Sequence, residues 1–210
     1  MTYAVKEAFL TLQGEGVQAG SRAVFLRFAG CNLWSGREAD RAAAVCNFCD
    51  TDFVGTDGAD GGKFAEAETL AAHVAALWGD QVDHRLVVIT GGEPMLQLDS
   101  ALVDALHGQG FRIAVESNGT IAALPGIDWL CISPKAGSVV VQRRGDELKL
   151  VWPQSGIDPV ALEGWDFANH LVQPMDCANR DVALEAAIAL VMERPRWRLT
   201  LQAHKVIGLP

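Results

Sequence analysis

The 210-residue sequence contains no apolar stretch that approaches the roughly 20 residues a helix needs to cross a bilayer. Its start, MTYAVKEAFLTLQGEG, also lacks the basic, apolar and small-residue zones of a secretory signal. Both absences argue against a membrane-spanning or secreted protein, and we expect a cytoplasmic one. In that reducing compartment, clustered cysteines are more often metal ligands or reactive groups than disulfides.

The sequence also has no dense basic block, and its formal net charge is -9, with 17 Lys and Arg residues. Proteins that grip nucleic acid through its phosphates usually carry a basic patch. We therefore expect no nucleic-acid partner and favour a small-molecule substrate. There is no internal repeat or low-complexity segment, and the length and the 50% hydrophobic content favour one domain over residues 1–210.

The chain does contain a series of short apolar runs rich in Val, Ile and Leu, which predict the buried strands of a largely parallel sheet. The runs are AVFLRF at 23–28, RLVVIT at 85–90, RIAVES at 112–117, DWLCIS at 128–133, ELKLVW at 147–152, HLVQP at 170–174 and RLTLQA at 198–203. Helical patterns lie between them: one within residues 65–79, one capped by Asp99, and one from Asn179 to about Arg194.

Three helices are too few for a complete eight-fold barrel, which takes one helix per crossover and about 250 residues. We therefore expect an α/β fold, an incomplete TIM-like barrel of about six parallel strands with about three helices. A doubly wound open sheet is the alternative. In both architectures ligands bind at the carboxyl ends of the strands, where this sequence concentrates its polar residues.

Three cysteines lie close together in the sequence. Cys31 follows the first apolar run, and Cys46 and Cys49 form a C-x-x-C pair. Structural zinc sites take four ligands, yet no fourth cysteine lies nearby and the nearest following histidine falls within the first predicted helix. A cubane iron–sulfur cluster on three thiolates leaves one iron open to bind a substrate or cofactor. The spacing leaves open a reactive cluster, a zinc site completed by distant residues, and unligated or redox-active thiols.

Seven motifs, taken together and in this order, identify a family. They are FLTLQGEG at 9–16, RFAGCNL at 27–33, CNFCDT at 46–51, TGGEP at 90–94, ESNGT at 116–120, SPK at 133–135 and QPMD at 173–176. On these residues the sequence resembles the radical S-adenosylmethionine superfamily and, more closely, the 7-carboxy-7-deazaguanine synthase family. The superfamily's usual C-x-x-x-C-x-x-C is stretched here between Cys31 and Cys46. We expect the insertion to form a loop or short helix while the three sulfurs still bind one cluster.

The resemblance implies a radical S-adenosylmethionine carbon–nitrogen lyase whose cofactors are a [4Fe-4S] cluster, S-adenosylmethionine and Mg²⁺. Family members take a hydrogen from C6 of 6-carboxy-5,6,7,8-tetrahydropterin with a 5′-deoxyadenosyl radical. The ring then contracts, ammonia is lost and 7-carboxy-7-deazaguanine forms, in queuosine and deazapurine biosynthesis. S-adenosylmethionine is regenerated in that reaction.

The resemblance also implies which residues bind the cofactors. Cys31, Cys46 and Cys49 would hold the cluster in a loop spanning 30–53, and Thr51 would ligate Mg²⁺, which prefers hard oxygen ligands. The residues expected to contact S-adenosylmethionine are Phe48, Gly92, Ser117, Ser133, Pro134, Lys135, Gln173, Pro174, Met175 and Asp176.

The substrate of the family carries a carboxylate and an aminopyrimidine edge, which need partners of opposite character. Arg27 would pair with the carboxylate. The other expected substrate contacts are Leu12, Gln13, Gly14, Glu15, Thr90, Glu116, His204 and Pro210, the last through the terminal carboxylate. The C-terminal strand and tail, residues 197–210, would close the substrate site.

The expected partners are the pterin, a reductant such as a flavodoxin or ferredoxin, and a second copy of the chain in a homodimer. Two other functions stay open at this point. A glycyl-radical-type activating enzyme would need a protein-docking surface and would accept no pterin. A non-catalytic zinc or iron–sulfur binding protein would leave S-adenosylmethionine intact.

Overall fold

The computed structural model describes residues 2–209. The strands within that range are β1 (Tyr3–Leu12), β2 (Arg22–Phe28), β3 (Gly62–Phe64), β4 (Leu86–Gly91), β5 (Arg112–Ser117), β6 (Trp129–Ile132), β7 (Arg144–Trp152), β8 (Asp166–Pro174) and β9 (Trp197–Leu199). The helices are α1 (Ala67–Trp78), α2 (Ser100–Gly108), α3 (Pro159–Leu162), α4 (Arg180–Glu193) and α5 (Ala203–Ile207). Short 3-10 helices span Glu38–Ala43 and Pro94–Leu96.

The described residues form one open nine-stranded sheet in the order β3-β1-β2-β4-β5-β6-β7-β8-β9. From β2 onward all neighbouring strands are parallel, whereas β1 runs antiparallel to both β2 and β3. The expected α/β fold with a mostly parallel, unclosed sheet is confirmed. Seven strands are mutually parallel rather than about six, and the hairpin of β1 with β2 was not predicted.

The three predicted helices are confirmed as α1, α2 and α4, and α3 and α5 are additional. Local sequence explains where α2 begins, since the Asp99 side chain accepts a hydrogen bond from the Leu102 N–H over 3.0 Å. The run at 198–203 is a strand only as far as Leu199, because the chain then turns into α5 at Ala203. In the part of the chain that is described, no helix has the length and apolar character required to span a membrane.

The two faces of the sheet have different roles because side chains alternate along each strand. On β2, Val24, Leu26 and Phe28 are fully buried in the hydrophobic core that α1, α2 and α4 cover. The intervening residues Phe25 and Arg27 point to the opposite face. That opposite face carries the candidate site.

Candidate active site

A cavity of about 400 Å³ lies on the face of the sheet opposite α1, α2 and α4. The residues predicted for the site all line it, except Cys31, Pro134 and Pro210. Cys31 lies directly behind Gly92, which does line the cavity. Pro134 is buried between the lining residues Ser133 and Lys135, and Pro210 lies outside the described residues.

Strand register brings the polar residues of this face to the same level. Glu7 on β1 lies opposite Arg27 on β2, and Arg27 lies opposite Thr90 on β4. Further along the sheet, Glu116 on β5 lies opposite Cys131 on β6. Residues that are far apart in sequence therefore form one polar row across the sheet.

The three cysteines expected to hold a cluster are free thiols. Cys46 and Cys49 line the cavity, and Cys31 lies against Gly92. A hydrogen bond between Cys46 and Cys49 raises the pKa of Cys46, with burial adding to the effect, and lowers the pKa of Cys49 to about 6. Burial raises the pKa of Cys31, whose sulfur accepts a hydrogen bond from the Leu33 N–H over 3.4 Å. Metals bind the thiolate form of cysteine, so the hydrogen bond between Cys46 and Cys49 favours the form of Cys49 that binds a metal.

The insertion between Cys31 and Cys46 is an ordered loop with a 3-10 helix at Glu38–Ala43, as expected. From that helix Arg41 donates hydrogen bonds to the carbonyls of Asn47 and Cys49, over 3.2 and 3.0 Å. Its guanidinium lies 4.1 Å from the ring centroid of Trp34, a cation–π distance. The insertion thus holds the C-x-x-C turn from the outside.

Two glycines, the last residue of β4 and the one after it, allow the backbone to pack closely against β2 and the first cysteine. A Cβ on Gly92 would lie 2.5 Å from the Cβ of Cys31, and one on Gly91 would overlap the backbone of Phe28. Gly91 also has a φ of 144°, which side chains other than hydrogen rarely allow. Only a bare backbone fits between this cysteine and the cavity.

Glu93, the next residue, is fully buried and ties β4 to β5. Its carboxylate accepts hydrogen bonds from the Ser117 hydroxyl, the Asn118 N–H and the Met95 N–H, over 2.9, 2.8 and 3.0 Å. Burial raises the pKa of Glu93, against the effect of these hydrogen bonds. The Asn118 side chain in turn donates to Asn32, next to Cys31, over 3.0 Å. This network fixes the cysteine loop to the ends of two strands.

The residues after β6 face the cysteine loop across the cavity. The Lys135 ammonium donates to the Ser133 hydroxyl over 2.6 Å and lies 5.8 Å from the ring centroid of Phe48. Gln173 to Asp176, at the end of β8, line the same region. An aromatic ring, hydroxyl groups and a cation are thus arranged around one space.

The remaining wall of the cavity carries two groups of paired charges. Arg27 is paired with Glu7 through a 2.8 Å contact between Nε and Oε1. Lys149 on β7 lies between Glu15 and Glu116, with its Nζ 2.6 and 2.5 Å from their Oε2 atoms. The cavity therefore offers a cation in one place and carboxylate acceptors in another.

Residues of the C-terminal segment, Gln202, His204 and Lys205, also line the cavity. The Ala203 N–H donates to the Gly14 carbonyl over 2.9 Å, and His204 packs directly on Gly14. Lys205 on α5 pairs with Asp50 and Asp176, over 2.7 and 2.6 Å. The segment thereby joins the cysteine loop to the end of β8.

Several lining residues were not predicted from the sequence, namely Glu7, Phe9, Phe25, Asp50, Asp52, Asn118, Lys149, Val151, Gln202 and Lys205. Lys149 could have been predicted from the sequence, because a lysine inside the apolar run ELKLVW needs a polar partner when its strand is buried. Glu7 had no such context, since β1 was not recognised as a strand.

No set of three or more His, Cys, Asp or Glu residues in the described part of the chain is arranged to hold a single metal ion. A cubane cluster makes a different demand, since each cysteine binds its own iron atom. The three free thiols and the side-chain-free approach at Gly92 fit such a cluster.

Comparison with known proteins gives one consistent result. No family model matches the chain. Curated relatives with the name 7-carboxy-7-deazaguanine synthase match it over its full length. The relative from Caulobacter vibrioides is 62% identical over 210 residues, and that from Bordetella pertussis is 58% identical over 210 residues, each match covering 100% of both chains. The relative from Bacteroides thetaiotaomicron is 37% identical over 98% of this chain and 97% of its own.

The fold has a solved counterpart as well. A crystal structure described as QueE from Escherichia coli superposes with a TM-score of 0.73 at 29% sequence identity. The superposition covers 97% of this chain and 95% of the other. The similarity therefore extends over the whole sheet and is not confined to the cysteine motif.

Proposed function

Because the chain belongs to the family of 7-carboxy-7-deazaguanine synthases, which are radical S-adenosylmethionine lyases, we propose that it converts 6-carboxy-5,6,7,8-tetrahydropterin into 7-carboxy-7-deazaguanine and ammonia. The observation that carries this proposal is the composition of one cavity. Cysteines and an aromatic residue line one part of it, and paired cationic and carboxylate groups line another. The relatives do not favour a glycyl-radical-activating enzyme or a non-catalytic metal-binding protein.

Cys31, Cys46 and Cys49 would hold a [4Fe-4S] cluster with one iron free of protein ligands. Bound there with S-adenosylmethionine, the cluster supplies a 5′-deoxyadenosyl radical. The protein's part is to hold the cysteine loop, through Arg41 on one side and the Asn32 to Asn118 hydrogen bond on the other. Gly92 would let the methionine end of the cofactor reach the open iron, because nothing but backbone separates it from Cys31.

The rest of S-adenosylmethionine would extend along the residues that face the cysteine loop. Phe48 would stack against the adenine, and Ser117, Ser133 and Lys135 would bind its polar atoms. Pro134 would contribute through its backbone. The segment formed by Gln173, Pro174, Met175 and Asp176 would complete this side.

The pterin would bind at the opposite end, with its two polar ends directed to opposite charges. Arg27 would hold the carboxylate, as guanidinium groups do in bidentate pairs. The aminopyrimidine edge would be received by Glu116, Glu15, Gln13, Thr90, His204 and the backbone of Leu12 and Gly14. This orientation would present C6, which carries the carboxylate, to the cofactor end of the cavity.

A magnesium ion at Thr51 would take most of its ligands from outside the protein. Mg²⁺ keeps several waters and commonly binds through substrate oxygens, so one hydroxyl next to the substrate carboxylate suffices. The Thr51 side chain lines the cavity beside Cys49. The ion would bind the substrate carboxylate together with Arg27.

The remaining features of the proposal follow from the family. Residues 1–210 would be one radical S-adenosylmethionine domain, whose open sheet is an incomplete TIM-like barrel. The enzyme would act as a cytoplasmic homodimer, with electrons from a flavodoxin or ferredoxin. Its product would enter queuosine or another deazapurine pathway.

The test is anaerobic reconstitution with iron and sulfide, followed by incubation with S-adenosylmethionine, reductant, Mg²⁺ and the carboxytetrahydropterin. We expect stoichiometric deazapurine and ammonia, with S-adenosylmethionine recovered. Cys31→Ala should abolish turnover, whereas the matched change at the exposed Cys177 should leave it intact. Wild-type protein that carries the cluster but forms no deazapurine would refute the proposal.

A further inference from the structure

Lys149 is a buried cation on the wall of the cavity. Its side chain is 4% exposed, and its neighbours along β7, Leu148 and Leu150, are fully buried in the core on the other face of the sheet. Strand alternation therefore directs the ammonium group into the cavity rather than into solvent. Removing an ammonium group from water is costly, so its partners matter.

The ammonium group fixes two carboxylates at once. Glu116 receives Lys149 on Oε2 and the Gln13 amide on Oε1, over 2.5 and 2.9 Å. Glu15 receives Lys149 on Oε2 and the Gln202 amide on Oε1, over 2.6 and 2.9 Å. Every carboxylate oxygen is thus oriented by one donor and keeps a lone pair for another.

We propose that Lys149 is a positioning residue of the pterin site, which holds Glu15 and Glu116 side by side as ionised, acceptor-only groups for the N–H edge of the substrate. The inference rests on the proposed function. An ionised carboxylate only accepts hydrogen bonds, whereas a protonated one also presents an O–H donor. Two neighbouring carboxylates without a cation would share a proton, because like charges raise the pKa of one of them. The N–H edge of the substrate would then face the O–H donor of the protonated carboxyl group, and one hydrogen bond would be lost.

The directions of the pKa shifts of Lys149 and Glu15 agree with this role. Burial alone would lower the pKa of Lys149, but Glu116 and Glu15 outweigh burial and raise it well above its ordinary value. Burial likewise acts to raise the pKa of Glu15, but the charge and hydrogen bond of Lys149, together with the Gln202 hydrogen bond and the charge of His204, lower that pKa overall. The other titratable groups that face Lys149 and its two glutamates are Cys131 on β6, Glu147 on β7 and His204 on α5.

The test compares wild type with Lys149→Met in the reconstituted enzyme. The dissociation constant of 6-carboxypterin, followed by its fluorescence between pH 6 and 9, should rise at least about tenfold in the variant. This is the loss expected when one carboxylate no longer accepts a charge-assisted hydrogen bond from the pterin. Binding to the variant should weaken further as the pH falls, and KM should change more than kcat. Wild type should lack this additional pH dependence. Lys63→Met, at an exposed position on β3, should behave as wild type.

A second variant separates positioning from a structural role. Lys149→Met/Glu15→Gln lacks the Glu15–Glu116 pair of like charges, so its binding should stay weak but lose the additional pH dependence that this pair causes. Should Lys149→Met fail to fold, the double variant carries the test, and wild-type affinity in it would overturn the inference. Binding to Lys149→Met that equals wild type, or is weakened equally at every pH, would also overturn it. Wild-type enzyme that binds no pterin would instead refute the proposed function, and this inference with it.

Discussion

Gly92 and Cys31 are so close that a β-carbon on Gly92 would lie 2.5 Å from that of Cys31. The contact joins the end of β4 to the first cysteine of the loop, and the nearby Gly30 carbonyl leaves no room for either side to move. The backbone at Gly92 therefore sets the position of this cysteine.

Gly92→Ala should displace Cys31 and lower both cluster occupancy and cleavage of S-adenosylmethionine. Forcing one methyl group into such a contact typically costs about 1–3 kcal/mol. Iron content after reconstitution and the rate of cofactor cleavage provide the measurement. Gly108→Ala, at a helical position with open space around it, is the matched control and should keep both. Full iron content and normal cleavage in Gly92→Ala would show that the contact is not limiting.

Arg41→Met should make the cluster easier to remove. Without the guanidinium, the carbonyls of Asn47 and Cys49 lose their donors, and the C-x-x-C turn is held less firmly. Iron loss to a chelator should be several-fold faster, while thermal unfolding of the metal-free protein should change little, because Arg41 contacts only the insertion and the turn. Arg37→Met, at an exposed position in the same loop, should retain iron like wild type. Equal rates in both variants would contradict the role of Arg41.

Lys205→Met should loosen the C-terminal segment with little loss of global stability. All three side chains of the Lys205 pairs with Asp50 and Asp176 are partly exposed, and such ion pairs contribute about 0–1 kcal/mol. Hydrogen exchange should accelerate within residues 200–209, and KM for the pterin should rise. Lys63→Met supplies the control for loss of one positive charge. Unchanged exchange in this segment would mean that its other contacts, such as those of Gly14 and Gln202, are sufficient to hold it.

The stability of the metal-free protein should decrease below about pH 6.5, and His170 should account for part of that decrease. Burial between the rings of Phe167 and Trp197 lowers the pKa of His170, and the charge of Arg196 adds to this effect. The unfolded chain therefore binds a proton that the folded chain refuses, and acid favours unfolding. In urea titrations from pH 5 to 8, His170→Leu should show a shallower decrease than wild type. Parallel curves would exclude His170 as the source.

The sequence predicted the parallel strands and most of the site because both follow from one pattern. Buried runs end in polar residues, and the ends of parallel strands meet at one edge. β1 was missed because Lys6 and Glu7 interrupt its apolar pattern. In the fold, Lys6 is only 8% exposed and forms ion pairs with Asp52 and Asp57. These partners lie about 50 residues away, so no local sequence pattern reveals them.

The short elements were missed for a different reason. α5 has five residues and β9 has three, so neither is long enough to show a period. Lys205 and Gln202 contact the cysteine loop only through long-range folding. Their roles could not be read from neighbours in the chain.

The row formed by Glu7, Arg27 and Thr90 depends on the register of the strands as much as on the chemistry of the side chains. Each residue faces the cavity only because its strand is paired in one frame, and inserting a single residue into β2 ahead of Arg27 would turn the guanidinium toward the oily side of the sheet. Homologous proteins should consequently tolerate substitutions in these strands far more readily than insertions or deletions.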